Sequence, residues 1–249
     1  MSFISLNFVV LFACTFILYH TLPSRFRKAT LLTASCLFIG FYHLAFLITA
    51  LILTLTTFYL GKWIGQAKRE SGMKGIYFSG VCFLVVSWLA FRYADRLTNC
   101  HILFPLGISF YTFQAISYLT EIYWQEEEPE KSLPDFMIYM LFFMKFLSGP
   151  IERASDMLPQ LKSCKATDYT SMVYGMRLIV VGLIKKLILA DSIAPYIDGV
   201  FGSVYTASGV QLLMACLLYP IELYADFSGY TDIALGGARM LGSVSYTHL

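Results

Sequence analysis

Residues 29–61 read ATLLTASCLFIGFYHLAFLITALILTLTTFYLG. No acid, lysine or arginine interrupts them. At 1.5 Å per residue, one helix of this length would reach about 50 Å, well past the ~30 Å hydrocarbon core of a bilayer. Two full crossings would need about 40 residues. The stretch is therefore read as two helices, one short or tilted, joined around residues 42–44, with Gly40 and His43 near the middle.

Basic residues bound this segment on both sides. Arg25, Arg27 and Lys28 follow Pro23, and Lys62, Lys68, Arg69 and Lys74 lie in a loop over residues 61–74 with Gly65 and Gly72. Two helices between them put both loops on one side. By the positive-inside rule that side is cytoplasmic and the N-terminus external. Upstream, the apolar run of residues 3–22 has no basic region before it and no small-residue cleavage site after it. It reads as a retained span, not a signal peptide. Downstream, residues 75–91 form the next span, closed by Arg92 and Arg96.

Composition agrees. Of 249 residues, 57% are hydrophobic and 14% charged, against about 25% charged in a soluble domain. There are 21 Phe and 17 Tyr, and the mean hydropathy is +0.65. This is more apolar surface than a water-facing globule buries, so lipid is the solvent for much of it. A net charge of +2 from 18 basic and 16 acidic residues excludes a disordered chain and lacks the basic clustering of a nucleic-acid binder. The fold class expected is all-α, a polytopic integral membrane protein with about seven or eight transmembrane or re-entrant helices. Cys14, Cys36, Cys82 and Cys216 sit in apolar runs and no CxxC pair occurs, so the cysteines read as small hydrophobes and no metal site is expected.

Polar residues enter beyond position 100. Residues 101–124 carry Thr112, Gln114, Thr120 and Glu121, with Pro105 and Gly107 near the start. Residues 126–130 read as an exposed acidic loop. Residues 136–147 are too short to cross, contain Lys145, and run into Ser148-Gly149-Pro150. They suit a re-entrant or in-plane helix, which needs protein or water over its irregular backbone. Residues 169–190 form a span with Arg177 inside and Lys185–Lys186 near its end. Residues 194–205 read as a polar connection or interfacial piece, and 211–226 as the last clear span, continuing to 242.

Three groups of polar residues stand out. Glu222, Asp226 and Tyr230 are spaced by four, which stacks them on one face of a continuous helix, with Ser228 and Gly229 allowing close packing or a break. An intramembrane carboxylate costs about 2.5–3.5 kcal/mol, so this face should meet protein or water. It either lines a polar tunnel or pairs with Arg177, Lys145 or freed amides. Glu152 and Arg153 could pair across a turn after Pro150 or bind a polar headgroup. Ser109, Thr112 and Gln114 can bond between helices. No Gly-x-Ser-x-Gly, phosphate loop or His-Glu-x-x-His occurs. His20, His43 and His101 lie near helix ends, and His248 is one residue from the last.

Three stretches together carry a resemblance: FPLGISFYTFQAISYLTEIY (104–123), FLSGPIERASDMLPQL (146–161) and YADFSGYTDIALGGARMLG (224–242), with KKLILADSIAPYIDGV (185–200) between them. In this order they resemble the membrane-bound O-acyltransferase (MBOAT) superfamily, in the bacterial branch of alginate O-acetylation and teichoic-acid D-alanylation proteins. The match runs from residue 1 to about 242 and implies the N-terminal part of one membrane domain. The residues after 242, SVSYTHL with His248, do not match the family's continuation and read as a foreign tail.

The resemblance implies transfer of an acyl group, acetyl before D-alanyl, from a cytoplasmic donor to a hydroxyl on a cell-surface polysaccharide or on an extracytoplasmic acetyltransferase partner. The donor would be acetyl-CoA or an acyl-carrier protein, with no permanently bound cofactor and no nucleic acid. The setting implied is the bacterial inner membrane, multi-pass. The family's catalytic histidine is expected beyond residue 249, which would leave the chain as written inactive. Asp226, Ser228, Tyr230 and Glu222, with Gln114, Glu152 and Arg153 in support, are the candidates for lining its reaction chamber. The competing reading is a transporter or flippase that uses Glu222, Asp226 and Arg177 as a polar path.

Overall fold

The computed structural model describes residues 5–67, 69–98, 107–146, 152–163 and 167–242. These are helices and turns, in two units. One is residues 167–240; the other is essentially everything before them. The start of the 101–124 segment, the 148–150 turn and the 243–249 tail with His248 lie outside the described residues.

The first unit holds α1 (Leu6–Thr21), α2 (Ser24–Tyr42), α3 (Leu44–Gln66), α4 (Glu70–Thr98), α5 (Ile108–Tyr123), α6 (Leu133–Leu141) and α7 (Ala154–Ser163). The break expected near residues 42–44 is His43 alone. Its extended backbone separates α2 from α3, and its Nδ1 accepts the amide of Ala45 at 3.3 Å. The two helices fold back as a hairpin, so the start of α2 and the end of α3 share one end of the unit. Lys28 there reaches Asp135 at the start of α6, 2.7 Å away, and Gly65 faces Pro129.

The basic loop is shorter than the sequence reading. Only residues 67–69 separate α3 from α4. Glu70 and Lys74 pair at i,i+4, 2.6 Å apart, and an acid in a first helical turn favours helix. At the start of α5, Gly107 takes φ 74° as the N-cap, a left-handed conformation that glycine adopts without a Cβ penalty. The core of this unit is aromatic: Phe38, Phe58, Tyr118, Phe136, Tyr139 and Phe143 are all buried.

After α6 the chain leaves helical geometry, yet Phe142, Phe143, Met144, Lys145 and Phe146 are all buried. Protein covers this irregular stretch, as expected for a short interrupted segment. The acidic loop is a partial correction. Glu126, Glu127 and Glu128 are exposed, but Glu130 is buried. Its carboxylate accepts the amides of Lys131 and Ser132, both at 2.9 Å, and pairs with Lys162 at 2.7 Å.

The second unit is α8 (Tyr169–Leu183), a π-helical turn (Ile184–Ala190), α9 (Asp191–Gly202) and α10 (Gly209–Met240). Residues 194–202, expected as a polar connection or interfacial piece, are helix, with Pro195 inside at the loss of one ladder donor. α10 is one helix of 32 residues, so Ser228 and Gly229 mark close packing, not a break. α8 and α10 pack through glycines seven residues apart on each helix. A Cβ on Gly175 would lie 2.7 Å from the Gly236 carbonyl oxygen, and one on Gly182 would lie 2.6 Å from that of Gly229. Apolar side chains gain little by leaving lipid for protein, so backbone approach through small residues is what holds such helices together.

Three helices among the described residues are long and apolar enough to cross a bilayer: Leu44–Gln66, Glu70–Tyr93 and Gly209–Met240, with α1 apolar but shorter. The sequence reading expects about seven or eight crossing or re-entrant elements. The difference lies in α1, α5 and α6, which are helical over only 16, 16 and 9 residues, in α2, which carries Arg25, Arg27 and Lys28, and in α8, which is α-helical over 15 residues before the π-helical turn.

A Gly182→Leu substitution should destabilise the purified protein in detergent by the ~1–3 kcal/mol typical of overpacking and so lower its thermal midpoint. Gly72→Leu, where a Cβ meets nothing within 4 Å, should leave the midpoint nearly unchanged. Equal midpoints for the two variants would refute close glycine packing.

Candidate functional site

The face of α10 bearing Glu222, Asp226 and Tyr230 is formed as the spacing requires. Its cations are two adjacent lysines that the spacing alone did not reveal. Lys186 pairs with Asp226, sits 2.8 Å from Asp191, and lies 5.2 Å from the centre of the Tyr230 ring. Lys185 pairs with Asp232 at 2.6 Å and donates to Ser228 Oγ at 2.8 Å. Asp226 and Tyr230 thus share Lys186, while Ser228 and Asp232 share Lys185. Glu222, one turn earlier, is half-buried. Arg177, the partner considered from sequence, is exposed on α8.

Local structure places the lysines. Both lie in the π-helical turn 184–190. Such a turn inserts an extra residue into a helix and often marks a functional site. Just before it, Gly182 brings the α8 backbone against Gly229 of α10, and a Cβ on Gly229 would also meet Lys186 Cβ at 3.3 Å. The lysine stems therefore start close to α10. The Lys186 side chain is 15% exposed and that of Asp226 32%, so the pair sits at the edge of the packed region and not deep within it.

Gln114, Glu152 and Arg153 belong to the first unit. Gln114 Nε2 donates to the Tyr139 carbonyl at 3.0 Å, and the Tyr139 hydroxyl donates to the Glu152 carbonyl at 3.0 Å. Tyr139 therefore connects two of the candidates across α5, α6 and the approach to α7. Glu152 pairs with Lys145, 3.9 Å away. Arg153 is exposed, and its carbonyl accepts the amides of Asp156 and Met157 at the start of α7. Lys145 is the residue the sequence reading undervalued. Its ammonium sits 2.9 Å from Met157 Sδ and 4.4 Å from the Tyr139 ring centre. Burial pushes it down to about 8, with Glu152 opposing the shift. Glu121 is also buried. It accepts the Ser117 hydroxyl at 3.2 Å and the Ser155 amide at 3.4 Å, a carboxylate set at a helix N-terminus.

The two groups differ in chemical scope. The α10 group offers carboxylates, a hydroxyl and a phenol beside two ammonium groups. It can hold a polar substrate atom or orient a proton. The Tyr139 group spends its hydrogen bonds on backbone carbonyls and holds a turn in place. Its polar atoms secure structure.

No family model matches the chain. It is 33% identical to a probable alginate O-acetylase of Azotobacter vinelandii, over 97% of this chain and 52% of that protein. It is 28% identical to a peptidoglycan O-acetyltransferase of Helicobacter pylori, over 85% of this chain and 47% of that protein. It is 27% identical to a teichoic acid D-alanyltransferase of Bacillus subtilis, over 55% and 35%. The chain spans about half the length of the curated relatives it matches with the highest identity.

Lys145 yields a pH test. The native ammonium titrates near 8 against 10.5 for an ordinary lysine, so between these values the unfolded chain binds more protons. Stability then rises with pH across that window. The thermal midpoint should increase from pH 8 to pH 10, and Lys145→Met should remove that part of the increase. Identical slopes for the two proteins would contradict the assignment.

Proposed function

We propose that this chain, a homologue of the membrane-bound O-acyltransferases, contributes a lysine–carboxylate-lined part of the reaction chamber of an O-acyltransferase. In the full-length protein the reaction is transfer of an acyl group, acetyl, from a cytoplasmic donor to a hydroxyl of a cell-surface polysaccharide or of a partner protein that passes it on. The observation that carries this reading is the similarity to an alginate O-acetylase over 97% of the chain. The setting is the bacterial inner membrane, and three membrane-length apolar helices support it. With positive charge inside, the end bearing Arg25, Lys28 and Arg69 is cytoplasmic.

The chemistry suits the α10 group. An alcohol is a weak nucleophile until a base takes its proton, and negative charge grows on the acyl oxygen as it attacks. Lys185 and Lys186 place positive charge beside Ser228, Asp226 and Tyr230. Charges fixed in place beside the reacting atoms stabilise such a change without reorganising as it develops. Asp226 and Asp232 in turn keep the lysines charged and oriented. Gln114 and Glu152 support the protein by fixing the irregular segment after α6, and take no part in transfer. The reading requires no resident cofactor: the acyl donor, acetyl-CoA or an acyl-carrier protein, is a substrate.

The test uses the full-length gene. Asp226→Ala should cut O-acetyl ester on the surface polymer, released as acetate by mild alkali, about tenfold or more at matched expression, about 1.4 kcal/mol on the barrier. Undiminished acetylation would remove Asp226 from the chamber.

A further inference from the structure

α1 and α2 fold back on each other through Leu22 and Pro23 and leave a groove of about 340 Å³ between them. Leu11, Leu18, Leu22, Phe26, Ala34 and Leu37 line it, with Cys14. Two hydroxyls in its wall are already satisfied by their own helices. Thr15 Oγ1 donates to the Leu11 carbonyl at 2.7 Å and Thr30 Oγ1 to that of Phe26 at 3.0 Å. The groove therefore suits hydrocarbon.

Its length and its open end narrow the occupant. The lining residues run from Leu11 to Leu22 on α1 and from Phe26 to Leu37 on α2. Each is about 16 Å of helix axis, half of the ~30 Å hydrocarbon thickness, or one leaflet. The groove ends where the basic residues begin. Arg25 is exposed, its guanidinium 4.8 Å from the ring centre of Phe26, itself a groove residue. Its neighbours are engaged within the protein: Lys28 with Asp135 at 2.7 Å, Arg27 Nε with the Tyr19 carbonyl at 3.2 Å. α2 starts at this mouth with Pro23 as N-cap and no side-chain capping bond. Its first amides add partial positive charge at the same place.

We propose that the α1–α2 groove binds an anionic phospholipid, with one acyl chain along Leu37, Ala34, Leu18 and Leu22 and the phosphate at Arg25 and the uncapped start of α2. A neutral zwitterionic lipid fits the same hydrocarbon track but gains less at the mouth. Charge at Arg25, not the apolar wall, therefore sets the preference. None of the groove residues is among the chamber candidates.

Native mass spectrometry of the full-length protein in detergent, titrated with phosphatidylglycerol or phosphatidylcholine, tests it. Phosphatidylglycerol should bind about fivefold more tightly, the worth of one cation at an anionic membrane surface. Arg25→Gln should remove the preference, whereas Arg69→Gln, an exposed cation in the α3–α4 loop, should keep it. Leu37→Trp, at an exposed groove position, should weaken both lipids while the melting temperature holds. Equal binding of the two lipids by the unmodified protein, or a preference that survives Arg25→Gln, would overturn the proposal.

Discussion

Charge placed among apolar helices must be matched there, and the second unit is arranged around that requirement. Lys185 and Lys186 face Asp232 and Asp226 from adjacent positions of one π-helical turn. An unmatched ionised side chain at membrane depth costs about 2.5–3.5 kcal/mol on insertion scales. Removing one partner of a fully buried pair costs about 3–5 kcal/mol, less here because the Asp226 side chain is a third exposed. The pairs form only if α8 and α10 come within backbone contact. Gly175, Gly182, Gly229 and Gly236 provide that approach. Packing and electrostatics thus depend on each other: the glycines bring the lysines near, and the lysines make the carboxylates tolerable in α10.

The first unit meets the same constraint differently. Its irregular segment after α6 runs through the core, where every polar group needs a partner. The Phe143 amide is taken by Ser35 Oγ at 3.2 Å, and the Tyr139 carbonyl by Gln114. Lys145 finds Glu152, a ring face and a thioether. This polar framework is spent on holding a turn, while that of α10 leaves side-chain oxygens grouped beside ammonium. The contrast explains why the proposed chemistry is assigned to α10 and a supporting role to Gln114 and Glu152.

Much of this was legible in the sequence. The joint at His43 followed from the length of one apolar run, and the shared face of Asp226 and Tyr230 from a spacing of four. The covered segment after α6 followed from its shortness and from Lys145. Other features were not legible. A π-helical turn has no composition of its own, so Lys185 and Lys186 read as the polar end of a span and Asp232 was passed over. The heptad-spaced glycines can be counted along the chain, but nothing in the sequence says that 175 meets 236 and 182 meets 229. Glu130 looked like one more member of an exposed acidic run. Only the fold brings it to the Lys131 and Ser132 amides and to Lys162. The seven chamber candidates belong to two separate units, each with its own partners.

The pairing of the π-turn lysines with α10 is tested most directly by a double-mutant cycle at Lys185 and Asp232 in the full-length protein, read as unfolding free energy in bicelles. If the two side chains are partners, Lys185→Met and Asp232→Leu each destabilise the protein, and the double variant falls short of their sum by about 1 kcal/mol or more. Strict additivity of the two effects would mean that these charges do not meet, and the polar face of α10 would lose its cations.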